Sequence, residues 1–148
     1  MAFKFNMEQI LQYRNGLENQ AKEELAKRQQ VVEEQSRLLA QMQDEEASLY
    51  GSFCREEGRV DLNYLEQAYN YLEHLEGKIQ QQAQEKEKAQ EQVNRQREEL
   101  KTRWQERRVM EILKDKSRDE YQKEEKKHER MVIDELTLNS FARKSQNM

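Results

Sequence analysis

Residues 61–100 read DLNYLEQAYNYLEHLEGKIQQQAQEKEKAQEQVNRQREEL, and this stretch decides the fold. Leu65, Leu72, Ile79, Val93 and Leu100 recur at seven residues or twice seven, with Ala68, Leu75, Ala89 and, further on, Met110 three positions onward in the same register. Apolar positions alternating three and four apart place one narrow stripe on a helix, the a/d seam of a coiled coil. Gln82, Lys86, Gln96, Arg103 and Arg107 interrupt it, so its middle and far end are expected to pack loosely or to await a partner. The pattern fades past Leu138.

Upstream, Ile10, Leu17, Ala21, Val31, Leu38, Met42 and Leu49 recur at helical spacing, with Leu11, Leu25, Val32 and Leu39 on the neighbouring stripe. Asn6 with Gln9 three residues later resembles a capping pair. Turn signals cluster once, in Gly51-Ser52-Phe53-Cys54-Arg55-Glu56-Glu57-Gly58. The expected fold is therefore all-α: a long antiparallel two-helix coiled coil, or helical hairpin, with a longer C-terminal helix. It forms one coiled-coil domain over residues 1–148, with helices at about 6–50 and 61–139, a turn at 51–60 and a tail at 140–148. At 1.5 Å per residue the helices span roughly 65 and 115 Å. Folded back at 51–60, Met7 should lie opposite Trp104, leaving roughly thirty residues of the second helix unpaired; a lone helix draws little stability from its own hydrogen bonds.

Composition supports this class and removes others. The chain has no proline, four glycines and 38% charged residues, and Ala, Glu, Lys, Leu and Arg make up half of it. Twenty-six basic and 30 acidic side chains nearly cancel to −4, too balanced for a charge-driven disordered chain. One cysteine, Cys54, closes no internal disulfide, which suggests a reducing compartment. No apolar run exceeds three residues, so neither a membrane span nor a signal peptide is expected. His74 and His128 stand too far apart for a local ligand pair, and no metal or cofactor is expected. There is no phosphate-binding glycine loop and no nucleophile beside a base, and two helices alone do not build the concave, partly dry site that catalysis needs. An enzyme is not expected, nor a small-molecule substrate.

Charge is uneven along the chain. Residues 1–100 carry 13 basic and 20 acidic side chains, whereas residues 101–148 carry 13 and 10. The stretch 44–76 holds nine acidic residues against Arg55 and Arg59 and should attract basic surfaces. Nucleic acid fits poorly, because Lys126, Lys127 and Arg130 are interleaved with Glu124, Glu125 and Glu129 and the isoelectric point is about 5.4. Tyr50, Phe53, Tyr64, Tyr69 and Tyr71 cluster near the turn, either closing a small core or facing outward as anchors for a partner.

Phe3-Lys4-Phe5, then residues 7–14 (MEQILQYR), Glu18, Ala21 and Glu24-Leu25-Ala26, resemble the opening of the flagellar export protein FliJ family. Val93, Arg97 and Leu100, followed by Arg107-Arg108, Glu111, Leu113-Lys114, Tyr121 and Asp134-Glu135, are similar to that family's C-terminal signature, while Thr102 and Trp104 depart from the small residue and basic pair common after the leucine. The resemblance covers nearly the whole chain. It implies a stalk-like component of the type III export apparatus for flagellum biogenesis, and hence motility and chemotaxis. Such a protein is a monomer when isolated and sits in the cytoplasm, peripherally at the inner membrane's cytoplasmic face at the flagellar base. Its implied partners are the hexameric export ATPase FliI, the export gate protein FlhA and export chaperones that it escorts. The resemblance implies ATPase contacts within residues 7–26 and 100–135, for which Ile10, Leu11, Arg14, Leu17, Ala21, Arg107, Arg108, Glu111, Leu113 and Lys114 are the candidates. Tyr64, Leu65, Tyr71, Leu75 and Lys78 are the gate candidates. A general coiled-coil scaffold or adaptor is the alternative.

Overall fold

The computed structural model describes residues 2–55 and 61–146. Among them all regular structure is helical, in α1 (Glu8–Arg55) and α2 (Leu62–Gln146), which pack against each other. Residues 56–60 of the expected turn, and the Cys54 side chain, lie outside the described residues. The first helix continues through residues 51–55, and the second continues past 139, where a tail was expected. Neither stretch contains a proline to stop it, and Arg143 and Lys144 in the last turn of α2 complement the negative end of the helix dipole.

The two helices begin differently. Asp61 caps α2: its Oδ1 accepts the Asn63 amide at 3.1 Å, while its carbonyl accepts the Leu65 amide at 3.0 Å. At α1 the backbone takes the place of the expected Asn6 side chain. The Glu8 amide donates to the Phe5 carbonyl at 3.2 Å, and the Leu11 amide donates to the Met7 carbonyl at 3.0 Å.

Burial repeats strictly by heptads on both helices. On α2 every seventh residue from Leu65 to Tyr121, and from Ala68 to Ser117, is buried or half-buried, polar members included. On α1 the same holds from Leu11 to Phe53 and from Arg14 to Leu49. The α1 seam therefore takes Leu11, Leu25, Val32 and Leu39 from one stripe and Ala21, Met42 and Leu49 from the other, whereas Ile10 and Val31 are exposed. Counting apolar residues blurs the seam because Arg14, Glu18, Arg28, Gln35 and Glu46 fill some of its positions.

Residues 19–102 form one compact unit, with Ala21, Leu72, Leu75 and Val93 as its buried apolar core. Several of its polar seam residues are paired across the helices. Buried Gln96 donates to the Ala21 carbonyl at 3.2 Å; Gln82 donates to both the carbonyl and the side-chain oxygen of Gln35; Arg28 reaches the Gln92 carbonyl at 3.2 Å. Ala21 and Gln35 are 14 residues apart, as are Gln82 and Gln96, so two heptads on one helix match two on the other. Partners rise along α1 as they fall along α2, so within this unit the helices run in opposite directions.

The other unit comprises residues 1–18 and 103–148. Buried Met110 lies in its seam, and Glu18 pairs with Arg107, Glu8 with Lys114 at 2.8 Å, and the Phe3 ring with Tyr121 at a centroid separation of 5.5 Å. Met7, expected opposite Trp104, instead lines a groove with Ser117 and Tyr121. Helix lengths alone had set that expectation, whereas charged and aromatic partners select the register. Coverage of α2 thus extends further than expected, and exposure becomes continuous only over residues 122–146.

Gly77 is an exposed residue inside α2, and nothing beyond its neighbours and the local helix backbone lies within 4 Å of where a Cβ would sit. Gly77→Ala should stabilise the chain by up to about 1 kcal/mol through a less mobile unfolded state and better helix propensity. A higher urea midpoint followed by far-UV circular dichroism is the expected result; an unchanged or lower midpoint contradicts it.

Candidate functional site

In the unit of residues 1–18 and 103–148, a connected set of charges crosses between the helices. The Arg107 guanidinium donates to Glu18 through Nε and to Glu111 through another nitrogen, and Arg108 donates to the second Glu111 oxygen at 2.9 Å. Glu18 is buried, and Arg107 facing it offsets the cost of burying its charge. Burial opposes the charge on Arg107, but the Glu18 and Glu111 carboxylates outweigh it and hold the guanidinium above its ordinary pKa. The hydrogen bond from Arg108 is the main cause that holds the Glu111 carboxyl below its ordinary 4.5; desolvation opposes it, and the bond from Arg107 and the charges of both arginines add to the lowering. Arg14 donates to the Glu106 carbonyl at 2.9 Å.

The ATPase candidates therefore divide. Leu11, Arg14, Leu17, Arg107, Glu111 and Lys114 are half-buried, and Arg14, Arg107 and Lys114 bond across to the other helix. Ile10, Arg108 and Leu113 face outward. Ala21 belongs to the other unit and is buried there. Beside Leu113 the structure exposes Val109 and Ile112, which sequence reading passed over. Val109 precedes Ile112 by three residues and Leu113 by four, and that spacing was the available signal: a short apolar stripe off the seam. Phe3 was quoted only as part of a motif; it packs on Tyr121 with the Arg118 guanidinium 5.9 Å from its ring centre.

In the unit of residues 19–102, Tyr64, Tyr71 and Lys78 are exposed and recur at seven residues, so they share one flank of the α2 seam. Leu65 is half-buried and Leu75 is only 3% exposed, between the helices. The Tyr71 hydroxyl donates to Glu45 on α1, and the Tyr50 hydroxyl to Glu76 on α2 at 3.0 Å. Each bond to a carboxylate raises the phenol above its ordinary value. The described residues contain no group of three or more metal-ligating side chains.

Residues 3–146 match the family model described as Flagellar FliJ protein. The chain belongs to this family. No curated protein and no solved structure gives a significant match. Membership in the FliJ family implies a flagellar export-related, non-enzymatic role at the cytoplasmic side of the flagellar base. Among the described residues, no helix is long and apolar enough to cross a membrane.

Because the Glu111 pKa is lower folded than unfolded, the stability it contributes is full above about pH 4.5 and is lost as pH falls through the folded value. Glu111→Gln should therefore flatten the acid limb. Urea midpoints measured from about pH 6 to about pH 3 should fall less steeply in the variant than in the native chain; parallel curves contradict the assignment.

Proposed function

We propose that this FliJ-family chain is a stalk-like, antiparallel coiled-coil hairpin over residues 1–148 that links the export ATPase FliI to the export gate protein FlhA. The observation that carries the ATPase half is the exposed apolar group Val109, Ile112 and Leu113 beside Arg108, on a helix whose seam already has its own partners. Apolar side chains left outside a satisfied seam contribute nothing to the hairpin and are suited to burial in another protein, with Arg108 supplying a charge at the rim. Ile10 extends the same role to α1. Leu11, Arg14, Leu17, Ala21, Arg107, Glu111 and Lys114 act by holding this face in register.

A single asymmetric hairpin in a sixfold ring touches its subunits unequally. Unequal contact gives each nucleotide state a different affinity for the stalk, and by linkage the stalk biases assembly and turnover of the ring. The gate contact uses Tyr64, Tyr71 and Lys78, with Leu65 and Leu75 setting the position of that flank from within the seam. Exposed tyrosines at heptad spacing offer large, rigid contact area, which suits a partner surface. In this reading the isolated chain is a monomer, escorts export chaperones and is held at the membrane through its partners.

Arg108→Glu combined with Leu113→Ala should reduce stimulation of FliI turnover severalfold with unchanged helicity, since both side chains face outward and surface changes cost little stability. Equal stimulation by native and variant chains refutes the ATPase face. Tyr71→Ala should weaken FlhA binding by roughly tenfold, equivalent to about 1.4 kcal/mol, while leaving stimulation intact. Tyr71→Phe, which keeps the ring and loses the bond to Glu45, should bind nearly as the native chain does. Native gate affinity in Tyr71→Ala removes that flank from the contact.

A further inference from the structure

The opposite flank of the α2 seam carries a second arrangement, which shares only the half-buried Leu65 with the residues of the gate reading. Tyr69 and Glu76 recur at seven residues on that flank, one helical turn round from Glu73, and Tyr50 and Phe53 approach from α1. Together they line an open groove of about 650 Å³ with the seam residues Leu65 and Leu72. That volume falls within the range of ligand sites, which are mostly apolar with a few placed polar groups. The described groove residues are aromatic, aliphatic or acidic, and none is basic.

We propose that this groove is a docking site for a basic peptide segment of a partner protein, one that sets an arginine or lysine beside a large apolar residue. Three observations converge on that chemistry. Tyr69 is 65% exposed and Tyr50 46%, so two aromatic rings are open to solvent beside carboxylates. A cation over an aromatic face gains from the ring's negative quadrupole, and gains again from a carboxylate on its far side. Glu76 accepts the Tyr50 hydroxyl through Oε1, and a carboxylate has lone pairs for further donors, so the bond orients the ring and the acid together. The groove is too large and too apolar at its base for a bare cation, so the occupant also brings an aliphatic or aromatic side chain to cover Leu72. Acidic partners and anionic lipid surfaces are repelled by Glu73 and Glu76, and by the surrounding stretch 44–76 with its nine acidic residues. The seam at this level is already filled by α1, so the segment docks against the flank without separating the helices.

The full chain, labelled for aromatic carbon–proton spectra, is titrated with a blocked hexapeptide alternating leucine and arginine, and with leucine–glutamine and leucine–glutamate counterparts. The arginine peptide should give saturable shifts at Tyr50, Phe53 and Tyr69, weakening severalfold when salt rises from about 0.05 M to about 0.5 M. Glu73→Gln with Glu76→Gln should weaken it at least fivefold, and Tyr69→Ala should do so separately; both sites are exposed, and circular dichroism checks that helicity is kept. Equal affinity for the arginine and glutamine peptides overturns the proposal. So do unchanged affinity in the double variant, shifts confined to Tyr64 and Tyr71, or concentration-dependent shifts without peptide, which would assign the groove to a second copy of the chain. FlhA plays no part in this titration, so its outcome is separate from the fate of the gate contact.

Discussion

Satisfaction of polar groups inside the seam is the constraint on which the rest of this structure depends. A two-helix protein has one strip of interior, and here that strip holds Gln35, Gln82 and Gln96, with Glu18 and Arg107 along the same helices' other unit. An amide at 2% exposure, as in Gln96, is costly without a partner, so its bond to the Ala21 carbonyl is required once the helices meet. Leucines would tolerate several alignments; glutamines and ion pairs accept few. Apolar burial supplies the attraction, and the polar members select which alignment it holds.

Much of this was legible in the sequence, though not the part that decides alignment. Leu65, Leu72, Ile79, Val93 and Leu100 announce a heptad because they are apolar at the right spacing. Gln96 and Arg107 obey the same spacing, but a pattern counted in apolar residues registers them as gaps. The same blindness adds Ile10 and Val31, which are exposed, to the seam residues Ala21, Met42 and Leu49. Pairing across the helices is a property of two sequences at once, so neither Glu8 with Lys114 nor Phe3 with Tyr121 could be read from either alone. Among the site candidates, spacing set Tyr64 and Tyr71 on a stripe of their own and Leu75 in the seam, and the structure agrees: the tyrosines are exposed and Leu75 is buried.

Outward residues then divide by what the seam leaves over. Arg108, Val109, Ile112 and Leu113 stand off the seam in one unit, and in the other the tyrosines flank it on both sides. In a family whose role is flagellar export, a scaffold with its interior fully committed gives partners only its flanks to use. Specificity then rests on side chains that can be exchanged without disturbing the pairing beneath them, which suits a component that meets several other proteins.

The equal two-heptad spacing of the glutamine contacts also limits how such a chain changes in length. Inserting or deleting residues between Ala21 and Gln35 would rotate or slide one half of the contact against the other, unless a matching change fell between Gln82 and Gln96. Only paired, whole-heptad indels keep both amides supplied. Lineages of this protein should therefore lengthen or shorten the two helices in step, by sevens, and a solitary gap on one side marks either a compensating bulge or a different alignment.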